Sequence, residues 1–347
     1  MSFKSYDTWF KISILLLGFY IIIKVMPIYF PIILAMILAF VLNPLVNYIT
    51  SIRFGAKKRH IGRGISVICA FLILILFLLL VGTFVLLPFI HEFDKFIIDL
   101  PNLISKIQNI VIKIQQRAQL LDLPTNINTF IEQAISSAAS FSADLAKRIL
   151  QAAFGFASSI VELVVVPVLA YYFLKDWSIL KDKIVSLFTV ESRERVRRII
   201  EEMSLVISAY IRGQVIISII IGIFVFSGMY LLGVDYPLVL GLLAACTESI
   251  PIIGPIVGSV PAIMLAYLIS PTLAFKVIIF YILVQFFENQ IVVPNIMGHT
   301  IDLHPVMIII SLLIGGQLWG IIGMMLAVPA AALLRVLIKQ LWITNER

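Results

Sequence analysis

Apolar runs of about 20 residues recur along this chain, separated by short loops rich in lysine and arginine. A helix of that length spans the roughly 30 Å hydrocarbon core of a bilayer. Of the 347 residues, 61% are apolar and only 13% are charged, against about 25% charged in soluble domains. So much apolar surface must face lipid. The fold expected is all-α and polytopic, with the bilayer as its first partner.

The first span is expected from about Phe10 to Met26, and the cluster Pro27 to Pro31 then turns the chain. Further spans are expected at about 32–49, 65–89, 152–174, 204–231 and 272–293. Residues 91–150 carry six acidic and six basic residues, which excludes a span. Phe93, Phe96, Ile97, Leu100, Ile104, Ile107, Val111 and Ile114 recur there at helical spacing. These residues read as amphipathic helices broken near Pro101 and Pro124. They could lie in the interface, pack on the spans or form an oligomer contact. The loop 53–63 has five basic residues and no acid, and the loop 175–202 has seven basic residues. The excess of positive charge marks these loops as cytoplasmic. Both termini are then cytoplasmic and residues 91–150 lie outside. The segment Glu191 to Glu202 reads as a charged helix running on into the next span.

The C-terminal half repeats itself. Asp235-Tyr-Pro237 opens one apolar stretch and Asp302-Leu-His-Pro305 opens another. Inside the first, Ile252-Ile253-Gly254 leads to Val260-Pro261-Ala262. Inside the second, Ile321-Ile322-Gly323 leads to Val328-Pro329-Ala330. Each stretch is too long for one span and too short for two. The first breaks across 250–258, where Pro251, Gly254, Pro255 and Gly258 interrupt a helix. The second breaks at Gly315-Gly316 and again near Gly320 and Gly323. Two re-entrant hairpins, beside about six full spans, are the expectation. The hairpins are expected at 237–270 and 305–338; one span separates them, so the two repeat units, 204–270 and 272–338, are inverted relative to one another. Broken helices in inverted repeats are a recurring transporter plan. Interrupted backbone at that depth must face protein or a wet cavity. Ahead of this transport unit, 204–347, the chain divides into a three-span unit (1–90), the outer segment (91–150), and a span with its cytoplasmic helix (151–203).

Ionisable side chains inside spans mark function. Glu162 sits in mid-span, and Arg212 lies in Tyr210-Ile-Arg-Gly-Gln214. These two could instead form a structural ion pair. Glu248 adjoins the first break, and Glu288-Asn289 follows Gln285 near the cytoplasmic end of the separating span. Asp302 and His304 stand at the mouth of the second hairpin. The backbone around Pro251, Gly254, Pro255 and Gly258 could coordinate solute, and Gly323 occupies the matching place in the repeat.

Enzyme motifs are absent: there is no His-Glu-x-x-His helix, no phosphate-cradling glycine loop and no glycine-flanked serine. Cys69 and Cys246 both lie in apolar runs, and two cysteines make no disulfide or metal framework. No cofactor or metal is expected. The net charge of +7 is concentrated in loops, without the aromatic interleaving that nucleic-acid binding needs.

The motifs Pro167 through Tyr172-Phe-Leu-Lys-Asp176, Tyr210-Ile-Arg-Gly-Gln214, Glu248-Ser-Ile-Pro-Ile-Ile-Gly-Pro255 and Gln285-Phe-Phe-Glu-Asn289 belong together. With Pro294, Met297-Gly298, Leu303-His-Pro305 and the run from Gly323 to Pro329, they resemble the autoinducer-2 exporter family of bacterial membrane proteins. The resemblance implies a multi-pass inner-membrane transporter with seven or eight predicted spans, forming homo-oligomers such as pentamers. It implies autoinducer-2 as cargo for some members and sodium–proton exchange for others. Efflux of a small polar solute is the expected function, with Glu248 and Arg212 facing the path. A monovalent cation–proton antiporter using Glu248, Glu288 or Glu162 is the alternative, and a membrane scaffold the third reading.

Overall fold

A computed structural model describes residues 26–54, 59–120, 160–298 and 303–342. The expected first span, residues 121–150 of the outer segment, and Asp302 lie outside the described residues. The order is α1 (Met26–Ser51), a two-residue hairpin β1 (Arg53–Phe54) and β2 (Arg59–His60), α2 (Arg63–Val81), and a π turn (Gly82–Leu86). Then come α3 (Leu87–Leu120), α4 (Ile160–Ser186), α5 (Val190–Leu232), α6 (Pro237–Thr247) and α7 (Ile253–Ile269). The order ends with α8 (Pro271–Phe287), a second π turn (Glu288–Val292), α9 (Val293–Met297) and α10 (Pro305–Trp342). Among the described residues, five helical stretches are long and apolar enough to cross a membrane: Pro31–Ser51, Arg63–Asp99, Val190–Leu232, Pro271–Met297 and Pro305–Gln340. Exposed Leu, Ile and Phe side chains crowd these helices, Leu72, Leu76, Leu79 and Phe84 among them. In water such a surface would aggregate; in lipid it is the solvated face.

Contacts divide the chain into two units, residues 1–73 with 157–187 and residues 74–156 with 188–347. In the first, α1 packs on α4. Ala35, Ala39 and Ala170 are fully or nearly fully buried. Small side chains let helices approach closely where lipid supplies no hydrophobic drive for them to associate. Helix α4 kinks at Asp176 (φ −109°, ψ 15°). Beside the kink, Arg63 donates from Nε to the Leu174 carbonyl (2.6 Å) and from Nη2 to Asn43 Oδ1 (3.3 Å). Arg63→Ala leaves that carbonyl unmet and is expected to cost about 1–3 kcal/mol. A lowered thermal midpoint in detergent micelles checks it, and an unchanged midpoint refutes it.

In the second unit, α6 and α7 form a helical hairpin against α5 and α8. Ile217, Ile221, Val225, Met229, Leu240, Ala244, Ala262, Ala266 and Val277 make its core. Backbones meet where Gly222 of α5 crosses Gly241 of α6. A Cβ on Gly241 would lie 2.9 Å from the Gly222 carbonyl oxygen. Helix α3 joins this unit. Glu92 Oε2 accepts the N–H groups of Leu238 (3.0 Å) and Val239 (3.4 Å), and Tyr236 donates its hydroxyl to Asp99 Oδ2 (2.6 Å). Glu92 thus caps the open N–H end of α6 from another helix, where a negative charge is favoured.

Three expectations about helix breaks need correction. Helix α3 continues through Pro101; proline costs one hydrogen bond there but does not end the helix. The first hairpin breaks only over 248–252, with Gly254, Pro255 and Gly258 already helical in α7. A proline in the first turn lacks only an N–H that would be unpaired there anyway. In α10 the break falls at Trp319 (φ −137°, ψ 18°) and Gly320 (φ 60°, ψ −136°) alone. Gly315, Gly316 and Gly323 are helical, and they serve close packing instead. A Cβ on Gly323 would lie 1.9 Å from the Gly315 carbonyl oxygen. Residues 305–318 and 321–342 therefore fold back on each other. Gly254 plays the same part in the first hairpin, where its Cβ would lie 1.9 Å from the Thr247 carbonyl oxygen. The repeated Ile-Ile-Gly is thus the point at which each hairpin's arms touch.

Candidate functional site

Helix α6 ends at Thr247, and its last carbonyls need partners from outside the helix. The tip supplies some: the N–H of Ile250 bonds the Thr247 carbonyl (2.9 Å), and that of Gly254 bonds Ile250 (2.8 Å). Gln214 of α5 supplies another, donating Nε2 to the Glu248 carbonyl at 2.7 Å. The tip turns at Ile252 with φ 68°, a conformation that a β-branched residue adopts only where its surroundings enforce it.

Glu248 itself is 3% exposed. Its carboxyl comes within hydrogen-bonding reach of Glu288, which is 7% exposed and begins the π turn after α8. A π turn inserts one residue into the helical register and often marks a functional site. Gln285 donates Nε2 to Glu288 Oε2 (3.1 Å), while Glu248 Oε2 has no hydrogen-bond partner. Both carboxylates border a small cavity, partly open to its surroundings, with room for about one water molecule. Thr247, Pro255, Gly258, Tyr281 and Gln285 share the lining, with Ile221, Ala244 and Val284 as the apolar wall. Tyr281 reaches across to the Gly258 carbonyl at 3.4 Å.

Of the residues expected at the site, Glu248, Glu288, Pro255 and Gly258 converge on this cavity, and Gln214 and Gly254 position its tip. Pro251 lies in the tip itself. Arg212 is half-buried and is not among the lining residues. Asn289 is exposed on the π turn. His304 is exposed and caps α10, its Nδ1 accepting from the Val306 N–H at 3.3 Å. Gly323 belongs to the arm contact of the second hairpin. Glu162 falls in α4, and its side chain lies outside what the structure describes.

Thr247, Tyr281 and Gln285 join the lining without being among the residues expected there. For two of them the sequence carries a signal. Tyr281, Gln285 and Glu288 are spaced i, i+4, i+7, which makes one polar stripe along the apolar C-terminal half of α8 and the turn after it.

A sequence profile of the family described as AI-2E family transporter matches residues 11–342. The chain belongs to the AI-2E transporter family. It is a multi-pass membrane protein of that transporter family. YueF of Bacillus subtilis, provisionally named a transport protein, is 28% identical over 329 residues, covering 94% of this chain and 86% of its own. PerM of Escherichia coli K12, provisionally named a permease, is 28% identical over 328 residues, covering 94% and 90%. A protein of Halobacillus andaensis named sodium-lithium/proton antiporter is 24% identical over 324 residues, covering 90% of each chain.

Proposed function

We propose that this protein exchanges monovalent cations for protons at the Glu248–Glu288 pair. The observation that carries the reading is the meeting of two buried carboxylates at one cavity. Two anions in contact away from water repel each other strongly. A shared proton, or one small cation between them, removes that repulsion. Oxygen donors suit a hard cation such as sodium or lithium, and Thr247, Gln285 and Tyr281 add neutral oxygens beside the pair. Cation and proton compete for the same negative charge, so binding one expels the other. The antiporter name of the Halobacillus relative supports the same cargo. The protein would work in the bacterial cytoplasmic membrane, with the charged Arg195–Glu202 end of α5 facing the cytoplasm.

Efflux of a small polar solute, autoinducer-2 in particular, is the second reading. The neutral hydrogen-bonding groups of Thr247, Tyr281 and Gln285 favour it, as does the family description.

Full-length protein in proteoliposomes, loaded acidic and carrying a pH dye, separates the two. Sodium and lithium chloride should collapse the gradient, and choline chloride should not. A gradient indifferent to every inorganic cation, with flux of labelled autoinducer-2, would transfer the function to the second reading.

A further inference from the structure

Among the described residues, three buried side-chain atoms have no hydrogen-bond partner: the hydroxyls of Tyr210 and Ser218, and Glu248 Oε2. Glu248 belongs to the carboxylate cavity. The other two lie on α5, four residues to either side of Gln214. Four residues advance a helix by about 40° around its axis, so the three side chains form one stripe roughly 12 Å long. Its middle member bonds the Glu248 carbonyl. Ile221, one turn beyond Ser218, lines the cavity. The stripe therefore passes the cavity and continues, at Tyr210, toward the charged end of α5.

Buried hydroxyls left unpaired are costly, and phenylalanine or alanine would fill the same space without that cost. Tyr210 is only 5% exposed, so bulk water does not meet its hydroxyl. Buried polar groups of this kind are normally satisfied by ordered water. Two unmatched hydroxyls along one face of α5, and an unmatched carboxylate oxygen in the cavity, describe a set of water ligands.

We infer that Tyr210, Gln214 and Ser218 line a file of water along α5. It joins the Glu248–Glu288 cavity to the aqueous phase at the charged end of α5. The cargo of this file, protons or a monovalent cation, rests on the exchange reading above; the water itself does not. Tyr210 stands at the end farther from the cavity, Ser218 beside it.

Two measurements on the full-length protein test this. In proteoliposomes, Tyr210→Phe and Ser218→Ala should each slow sodium-driven proton release about tenfold, the loss of one water-bridged contact, with thermal midpoint unchanged or raised. Wild-type rates in both variants, with a raised midpoint, would show dry unpaired hydroxyls and overturn the inference. The second measurement needs no cargo. In a background of Cys69→Ala and Cys246→Ala, the thiols of Tyr210→Cys and Ser218→Cys should react with a small water-soluble methanethiosulfonate. Failure of either to react in the folded protein, while it reacts after denaturation, overturns the file. If wild-type protein moves no inorganic cation, the exchange reading falls, and the thiol result still decides whether water is there.

Discussion

Glu248→Gln is expected to reduce sodium- and lithium-driven proton release at least roughly 100-fold, which is about 2.7 kcal/mol of lost interaction. Glutamine has nearly the same shape, and the bond from Gln214 goes to the backbone carbonyl of Glu248, not its carboxyl. Insertion and thermal stability should therefore survive. What disappears is the negative charge for which proton and cation compete. Glu288→Gln should also impair exchange, and less completely, because Glu248 retains its charge and its unpaired Oε2. In the wild type, protons gain on cations as pH falls, so exchange should slow toward acid. Proteoliposome flux, scanned over pH for both variants, is the measurement. Wild-type rates in Glu248→Gln at every pH would remove the carboxylate pair from the mechanism.

The second large effect is steric. Gly254→Ala places a methyl group 1.9 Å from the Thr247 carbonyl oxygen, and Gly323→Ala places one 1.9 Å from that of Gly315. Ordinary contact needs more than 3 Å, and the atoms met are backbone, which cannot rotate aside. Each hairpin must open by more than an ångström, at an overpacking cost of about 1–3 kcal/mol or more. Both variants should lose thermal stability. Gly254→Ala should also lose transport, because Thr247 and Glu248 border the cavity. Gly82→Ala is the control: its Cβ meets nothing within 4 Å, and its stability should stay near that of the wild type. Equal stability in all three variants would mean that the arms do not meet at these glycines.

The apolar helices are legible in the sequence because lipid demands length and apolarity, and both are read directly from composition. The two hairpin stretches, Glu248 and Glu288 are legible as well. The meeting of the two acids is not. They are 40 positions apart, and only the packing of α6 and α7 against α8 brings them together. The break signals were too broad for a physical reason. Glycine and proline interrupt helices, but glycine also lets two helices touch, and proline fits a first turn. At Gly254, Pro255, Gly315 and Gly323 the second role wins. The stripe Tyr281–Gln285–Glu288 was visible in the spacing alone. Gln214 lay in a quoted motif, but its bond to a helix-end carbonyl depends on where α6 stops, which no periodicity fixes.

Helix α5 has 43 residues, about 65 Å at 1.5 Å per residue and roughly twice the hydrocarbon thickness. One end is tied to the last helix: Arg195 donates Nε to the Gln340 carbonyl (3.1 Å), and Gln340 donates to Glu202 Oε2 (2.6 Å). Near the other end, Gly228 leaves room for the Phe280 ring. A strut this long, with no proline and anchored at both extremities, resists bending at its midpoint, where Gln214 sits. If the cavity is to open alternately to the two faces, the short arms of α6 and α7, packed against α5 and α8, are the elements with the least to displace.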